Sequence, residues 1–111
     1  MTIKFDVLFL EDARTFLANL DEKTRTKILY NIDKARVIND PRLFKKLSDT
    51  VWEFRTKYNG SQYRLLAFWD KSGSTETLVI STHGFVKKTD KVPGKELIRA
   101  ETIRQLYFKQ S

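Results

Sequence analysis

V-W-E-F-R-T-K-Y-N-G-S-Q-Y-R-L-L-A-F-W-D, residues Val51 to Asp70, is the stretch on which the fold turns. Two alternating apolar and polar runs flank Asn59-Gly60, and Asn-Gly in that setting is the strongest short-range signal for a β-hairpin with a two-residue type I′ turn. A four-residue loop centred on the same dipeptide gives the same register. Trp52 then faces Ala67, Phe54 faces Leu65 and Thr56 faces Tyr63, which makes an apolar face for a core. On the other face Glu53, Arg55 and Lys57 line up with Leu66, Arg64 and Gln62. Arg55 lies directly across from Arg64, and like charges so placed destabilise a sheet. The pair therefore calls for an anion between them or a carboxylate nearby. Glu53, two residues along the same face, is the simple candidate for that carboxylate, and a solvated, partly paired basic face is the plain structural alternative.

A chain of 111 residues is long enough to bury a core and short enough to be one domain, residues 1–111. Its 41% hydrophobic and 13% aromatic content argues against disorder. Cysteine is absent, which removes disulfides and thiolate metal sites from consideration and fits a reducing compartment. Asp6, Glu11 and Asp12 interrupt any apolar leader, and no apolar run approaches a membrane span, so a soluble cytoplasmic protein is expected. The formal charge of +7 is unevenly spread: residues 1–50 carry a net +2 and residues 51–111 a net +5. A basic excess on the hairpin and beyond suits a polyanion such as nucleic acid, and suits an acidic protein partner equally well.

Outward from the hairpin, Ile3, Phe5, Val7 and Phe9 alternate as a first strand over about residues 2–9. Ala13, Phe16, Leu17 and Leu20 recur at helical spacing, and Asp21 can cap a second helix with the apolar stripe Ile28, Leu29, Ile32 and Ala35. Asn39-Asp40-Pro41 stops that helix. Residues 41–50 read as a connector with one helical turn, pinned by Leu43, Phe44 and Leu47. After the hairpin comes a polar turn from Asp70 to Ser74. Leu78-Val79-Ile80 then opens a strand running to about His83, and H-G-F-V-K-K-T-D-K-V-P-G forms an exit loop. A last helix covers about residues 95–108, with Leu97, Ala100, Ile103, Leu106 and Tyr107 as candidate buried positions. The order β-α-α-β-β-β-α is a small α+β fold with a mostly antiparallel sheet.

One histidine and no cysteine cannot assemble a usual zinc site, and no glycine-rich phosphate loop is present. The spacing of Ser81, His83 and Asp90 gives no support to a Ser-His-Asp triad. Basic and aromatic residues remain. Antiparallel pairing of the last strand with residues 61–70 would carry His83 and Lys87 toward Arg64 and Lys57, with Lys88 and Lys91 following in the exit loop. Tyr58, Tyr63 and Phe85 would stand nearby to stack on bases. Phosphoryl chemistry on RNA needs a base for the 2′-hydroxyl, cations for the developing charge and an acid for the leaving oxygen. A lysine crowded by other cations could serve as that base or acid. Each of these residues has a plainer reading: Trp52, Phe54 and Trp69 as core aromatics, His83 as a satisfied strand-end histidine, and Lys87, Lys88 and Lys91 as a solvated loop.

L-D-E-K-T-R-T-K-I, K-K-L-S-D-T-V-W-E-F-R, K-Y-N-G-S-Q-Y-R-L-L-A-F, and H-G-F-V-K-K-T-D-K-V-P followed by E-L-I-R-A lie between residues 20 and 100 and carry a resemblance that covers nearly the whole chain. In these stretches the sequence resembles the RelE/ParE superfamily of bacterial toxins, in its phage-derived HigB-like branch. The resemblance implies the toxin of a type II toxin–antitoxin pair. Such a toxin is a metal-independent endoribonuclease with no cofactor, cleaves mRNA on the ribosome and is silenced by a helix-turn-helix antitoxin. It implies that Arg55 and Arg64 hold phosphate, that Lys57 is a basic strand position, and that His83 and Lys87 or Lys88 fall where the family places its variable acid/base residues. Which of them transfers protons stays open. Some members of the superfamily act on DNA gyrase, so a non-hydrolytic binding toxin, or a nucleic-acid-binding regulatory module, is the alternative.

Overall fold

The computed structural model describes residues 4–73, 78–88 and 91–110. Its elements are β1 (Asp6–Phe9), α1 (Glu11–Ala18), α2 (Glu22–Ala35), β2 (Phe44–Lys46), β3 (Trp52–Tyr58), β4 (Ser61–Asp70), β5 (Leu78–Lys87) and α3 (Gly94–Gln110). Ile3 of the expected first strand, Ser74 of the polar turn, and Thr89 and Asp90 of the exit loop lie outside the described residues.

The strands form one sheet in the order β1-β5-β4-β3-β2, parallel only between β1 and β5. Asn59 at φ 51° and Gly60 at φ 81° make the tight turn expected of Asn-Gly. Every pair from Trp52↔Ala67 to Tyr58↔Ser61 keeps the register read from that turn. Alternation then sends Phe54, Leu65 and Ala67 into a core against Ala13 and Leu17 of α1 and Ile28, Ile32 and Ala35 of α2. Asp21 caps α2, its carboxylate accepting from the Thr24 backbone N–H at 3.2 Å. Gly84 faces α1 so closely that a Cβ there would clash with the Phe16 ring.

Two elements depart from expectation. The connector contains a turn, with the Leu43 and Phe44 N–H groups donating to the Asp40 carbonyl, but then continues as β2, paired antiparallel with β3. Aromatic stacking holds this three-residue strand: Phe44 lies 4.5 Å from Phe54 and 4.9 Å from Trp52, centroid to centroid. Residues Phe44-Lys45-Lys46 are too few to show a period, which is why the strand was not expected. The last strand also runs to Lys87, so Gly84 to Lys87 belong to the sheet and not to a loop.

Between Leu66 and Ala67 the β4–β5 register slips by one residue. Thr82 is the extra residue, and both the Ser81 and Thr82 hydroxyls turn to the Leu66 carbonyl, at 3.5 and 3.1 Å. On this second sheet face α3 packs over Leu66 through Leu97 and Ala100, and over Phe68 through Tyr107 and Phe108. Of the expected helix positions Ala100 is buried, Leu97, Ile103 and Tyr107 are half-buried, and Leu106 is exposed. No helix of the described residues is long and apolar enough to cross a membrane.

Candidate functional site

Paired residues in a sheet share a face, so β3, β4 and β5 lay three rows across the face that carries α3. Lys57, Gln62 and Lys87 form one row, Arg55, Arg64 and Phe85 the next, and Glu53, Leu66 and His83 the third. Toward the hairpin turn, Arg42, Arg55, Lys57, Gln62 and Arg64 line a cleft of about 360 Å³. The arginine pair read from the register is thus real, and its environment shows how the sheet tolerates it. Arg55 Nε lies 3.3 Å from Glu53 Oε1, and Arg64 Nε lies 3.4 Å from Glu53 Oε2. These are charge contacts more than aligned hydrogen bonds: Glu53 Oε2, Arg55 Nε and Arg64 Nε are buried without a hydrogen-bond partner.

The two arginines differ in exposure. Arg64 is buried, its Nη1 donating to the Tyr63 carbonyl at 3.2 Å and its Nη2 to Gln62 Oε1 at 2.8 Å. The side chain forms part of the cleft floor and does not project into the cleft. Arg55 is partly exposed and donates through Nη1 to the Pro41 carbonyl at 3.2 Å, which ties the turn before β2 to the cleft. Burial pushes the Glu53 carboxyl up, against the pull of Arg64, Arg55, Lys87 and Lys45. Burial likewise pushes the Arg64 guanidinium down, with Glu53 opposing and Arg55 reinforcing. With Glu53 ionised, the triad keeps one net positive charge, and Lys57 adds another at the rim.

A family model described as Phage derived protein Gp49-like (DUF891) matches residues 15–105, a span that contains the whole hairpin and every residue of the cleft. The chain belongs to the Gp49-like family. That family is phage-derived and toxin-like, within the RelE/HigB-like toxin superfamily. Comparison with curated proteins gives no match.

In this Gp49-like chain the remaining expected site residues divide by sheet face. Lys87 shares the cleft face, and its charge reaches Glu53. Phe85 sits across from Arg64, half-buried against Val51, Leu66 and Ala100. Tyr58 and Tyr63 pair with Ser61 and Thr56, so period-2 alternation puts both on the opposite face. Tyr63 packs on the α1–α2 core, and Tyr58 lines a separate groove with Lys23, Lys27 and Tyr30 of α2. Neither tyrosine can stack on a base held in the Arg55–Arg64 cleft. Lys88 and Lys91 are exposed beyond the end of β5 and do not line the cleft.

His83 does not reach the cleft either. It is buried beneath α3, with Nδ1 3.1 Å from Thr82 Oγ1 and Nε2 3.2 Å from Glu96 Oε1. Burial and the Arg99 charge push the imidazole down, and Glu96 pulls it back. Its geometry is that of a satisfied histidine pinning the first turn of α3 to β5. Arg42 joins the site without forewarning in the sequence. It projects from the turn before β2, a strand that was itself not expected, and its guanidinium meets Asp40 at 3.0 Å. Gln62 was foreseeable, because the hairpin register already set it across from Lys57. Among the described residues, no group of three or more His, Cys, Asp or Glu side chains is placed to hold a metal ion.

Proposed function

We propose that this Gp49-like protein is the toxin of a type II toxin–antitoxin pair and cleaves mRNA on the ribosome, without a metal, at the Arg55–Arg64 cleft. The observation that carries the proposal is the cross-strand arginine pair opening, with Lys57, into one cleft on the part of the α3-bearing sheet face, toward the hairpin turn, that α3 leaves uncovered. Cations fixed in advance at a phosphoryl centre stabilise the charge that builds on the non-bridging oxygens, each contributing about 10²–10³ in rate. Arg55 and Lys57 are the groups placed to meet phosphate, and Lys57 or Lys87 is the candidate for proton transfer. The buried His83 leaves that role to the lysines. The partner is a helix-turn-helix antitoxin that covers part of the basic surface after residue 50 or blocks access to the ribosome. Association with it should slow as salt rises, because charges at an interface rim act mainly on the association rate.

Induced expression with mapping of new mRNA 5′ ends tests the proposal, comparing the parent chain with Arg55→Ala and Lys57→Ala. Growth arrest with new 5′ ends, lost in both variants while the fold is kept, is the expected result. Arg55→Lys should restore cleavage only in part, since a point-charge ammonium cannot supply a bidentate fork. Arrest without new ends would instead favour a non-hydrolytic toxin acting on DNA gyrase, or a nucleic-acid-binding regulatory module. The lack of a free imidazole in the cleft is the observation that keeps this second reading in view.

A further inference from the structure

We propose that Glu53 is the positioning residue of the cleft: its buried carboxylate holds the Arg55 and Arg64 guanidiniums side by side, so that Arg55 and Lys57 meet the phosphate while Arg64 acts from beneath. This inference rests on the phosphate-binding function proposed above and assigns a separate task to each cation. Arg64 has every nitrogen turned toward protein, with Nε at Glu53, Nη1 at the Tyr63 carbonyl and Nη2 at Gln62 Oε1. Its side chain is 3% exposed, against 29% for Arg55. A guanidinium so committed cannot present a two-pronged face to a ligand without giving up those partners. Both arginines line the cleft, but Arg55 commits only Nη1 to a hydrogen bond, on the Pro41 carbonyl, and is the one exposed to what enters.

Two guanidiniums directly opposed across an antiparallel pair repel one another. Glu53 sits in the adjacent row of the same face with one oxygen for each, at 3.3 and 3.4 Å. Neither contact is a fully formed hydrogen bond, so the carboxylate balances the pair by charge from a fixed, dry position. Removing the charge while keeping the shape should therefore free Arg55 to move and raise the local positive charge at once. The two effects have opposite signs on binding and on turnover, and a merely structural residue would not separate them.

Arginine Nε–Hε resonances of the full chain, assigned with Arg55→Lys and Arg64→Lys, provide a direct readout during titration with inorganic phosphate. In the parent protein, phosphate should shift the Arg55 resonance and leave that of Arg64 in place. In Glu53→Gln, both resonances should move or broaden before phosphate is added, while phosphate affinity stays unchanged or tightens. Single-turnover cleavage of ribosome-bound mRNA by Glu53→Gln should fall on the order of 10²-fold with KM no higher than that of the parent. Phosphate that shifts Arg64 as strongly as Arg55 overturns the proposal, and needs no variant to fold. So does a Glu53→Gln protein that cleaves at the parent rate with both resonances unmoved, or one whose loss of rate only tracks its loss of folded protein. A parent chain that binds phosphate but cleaves nothing rejects the nuclease assignment alone, and the phosphate titration then decides the role of Glu53.

Discussion

Arg64→Ala should damage the fold as well as the site. The Arg64 and Glu53 side chains are each only 3% exposed, so truncation leaves a buried carboxylate facing one arginine where it had two. Removing one partner of a buried ion pair costs about 3–5 kcal/mol. Two features reduce that figure here. Arg55 Nε stays 3.3 Å from the carboxylate, and Glu53, already pushed up by burial, can take a proton. A loss of about 2–4 kcal/mol at neutral pH is expected, at roughly 4–8 °C in Tm for each kcal/mol in a chain of this size.

Urea denaturation at about pH 7 and about pH 5 measures the loss. A carboxyl whose folded pKa exceeds its unfolded one binds more protons when folded, so its contribution falls as pH rises from the ordinary value of 4.5 through the raised one. Arg64 pulls that value down, so its removal extends the window upward. The deficit of Arg64→Ala should accordingly shrink on acidification, and Glu53→Gln in the same chain should recover part of it. A variant within about 0.5 kcal/mol of the parent at neutral pH, or a deficit that grows as pH falls, refutes the reasoning. Loss of toxicity in Arg64→Ala alone therefore does not report on chemistry; Lys57→Ala, which leaves both Glu53 contacts in place, is the cleaner test, and Arg55→Ala is read beside its own denaturation curve.

Gly84→Ala would drive a Cβ into the Phe16 ring; overpacking of this kind costs about 1–3 kcal/mol in urea denaturation, and Phe16→Leu should relieve part of it. His83 is held below its ordinary value of 6.5, so its contribution is complete above that pH and is lost as pH falls toward the folded value. His83→Gln should flatten the stability profile below about pH 6.5, read from denaturation midpoints. Tyr107 donates to Asp70 at 2.7 Å and is pushed up to about 12. Its phenolate absorbance should appear only near that pH, and Tyr107→Phe should remove this late-titrating component.

The hairpin was legible because Asn59-Gly60 dictates both turn and register, and the register alone brought Arg55 to Arg64 and Gln62 to Lys57. Asp21 announced the start of α2 for the same reason, a local hydrogen bond with a local cause. Features that depend on distant partners were not legible. Phe44 is drawn into β2 by rings at Trp52 and Phe54, and Arg42 enters the cleft only because that strand forms. His83 looked like a cleft residue because topology points β5 toward the turn, but α3 covers that part of the sheet and Glu96 captures the imidazole. Tyr58 and Tyr63 are neighbours of Lys57 and Arg64 in the sequence, yet strand alternation puts a sheet's thickness between them and the cleft. Arg64 shows that a polar sheet face is not always a wet one.

The strand order β1-β5-β4-β3-β2 carries a consequence for how the chain is assembled. β2, β3 and β4 are consecutive neighbours and can pair as soon as each leaves the ribosome, so the side chains of the cleft come together early and locally. Among the described residues β1 pairs with β5 alone, about seventy residues later in the chain, and α1 packs on β5 as well. Closing so long a loop is slow compared with a hairpin. During synthesis, the first strand and helix must therefore wait, with their apolar sides uncovered, for Leu78 to Lys87 to arrive. A chain cut short before β5 would keep the arginine hairpin and orphan the N-terminal half of the core, leaving a species prone to aggregate.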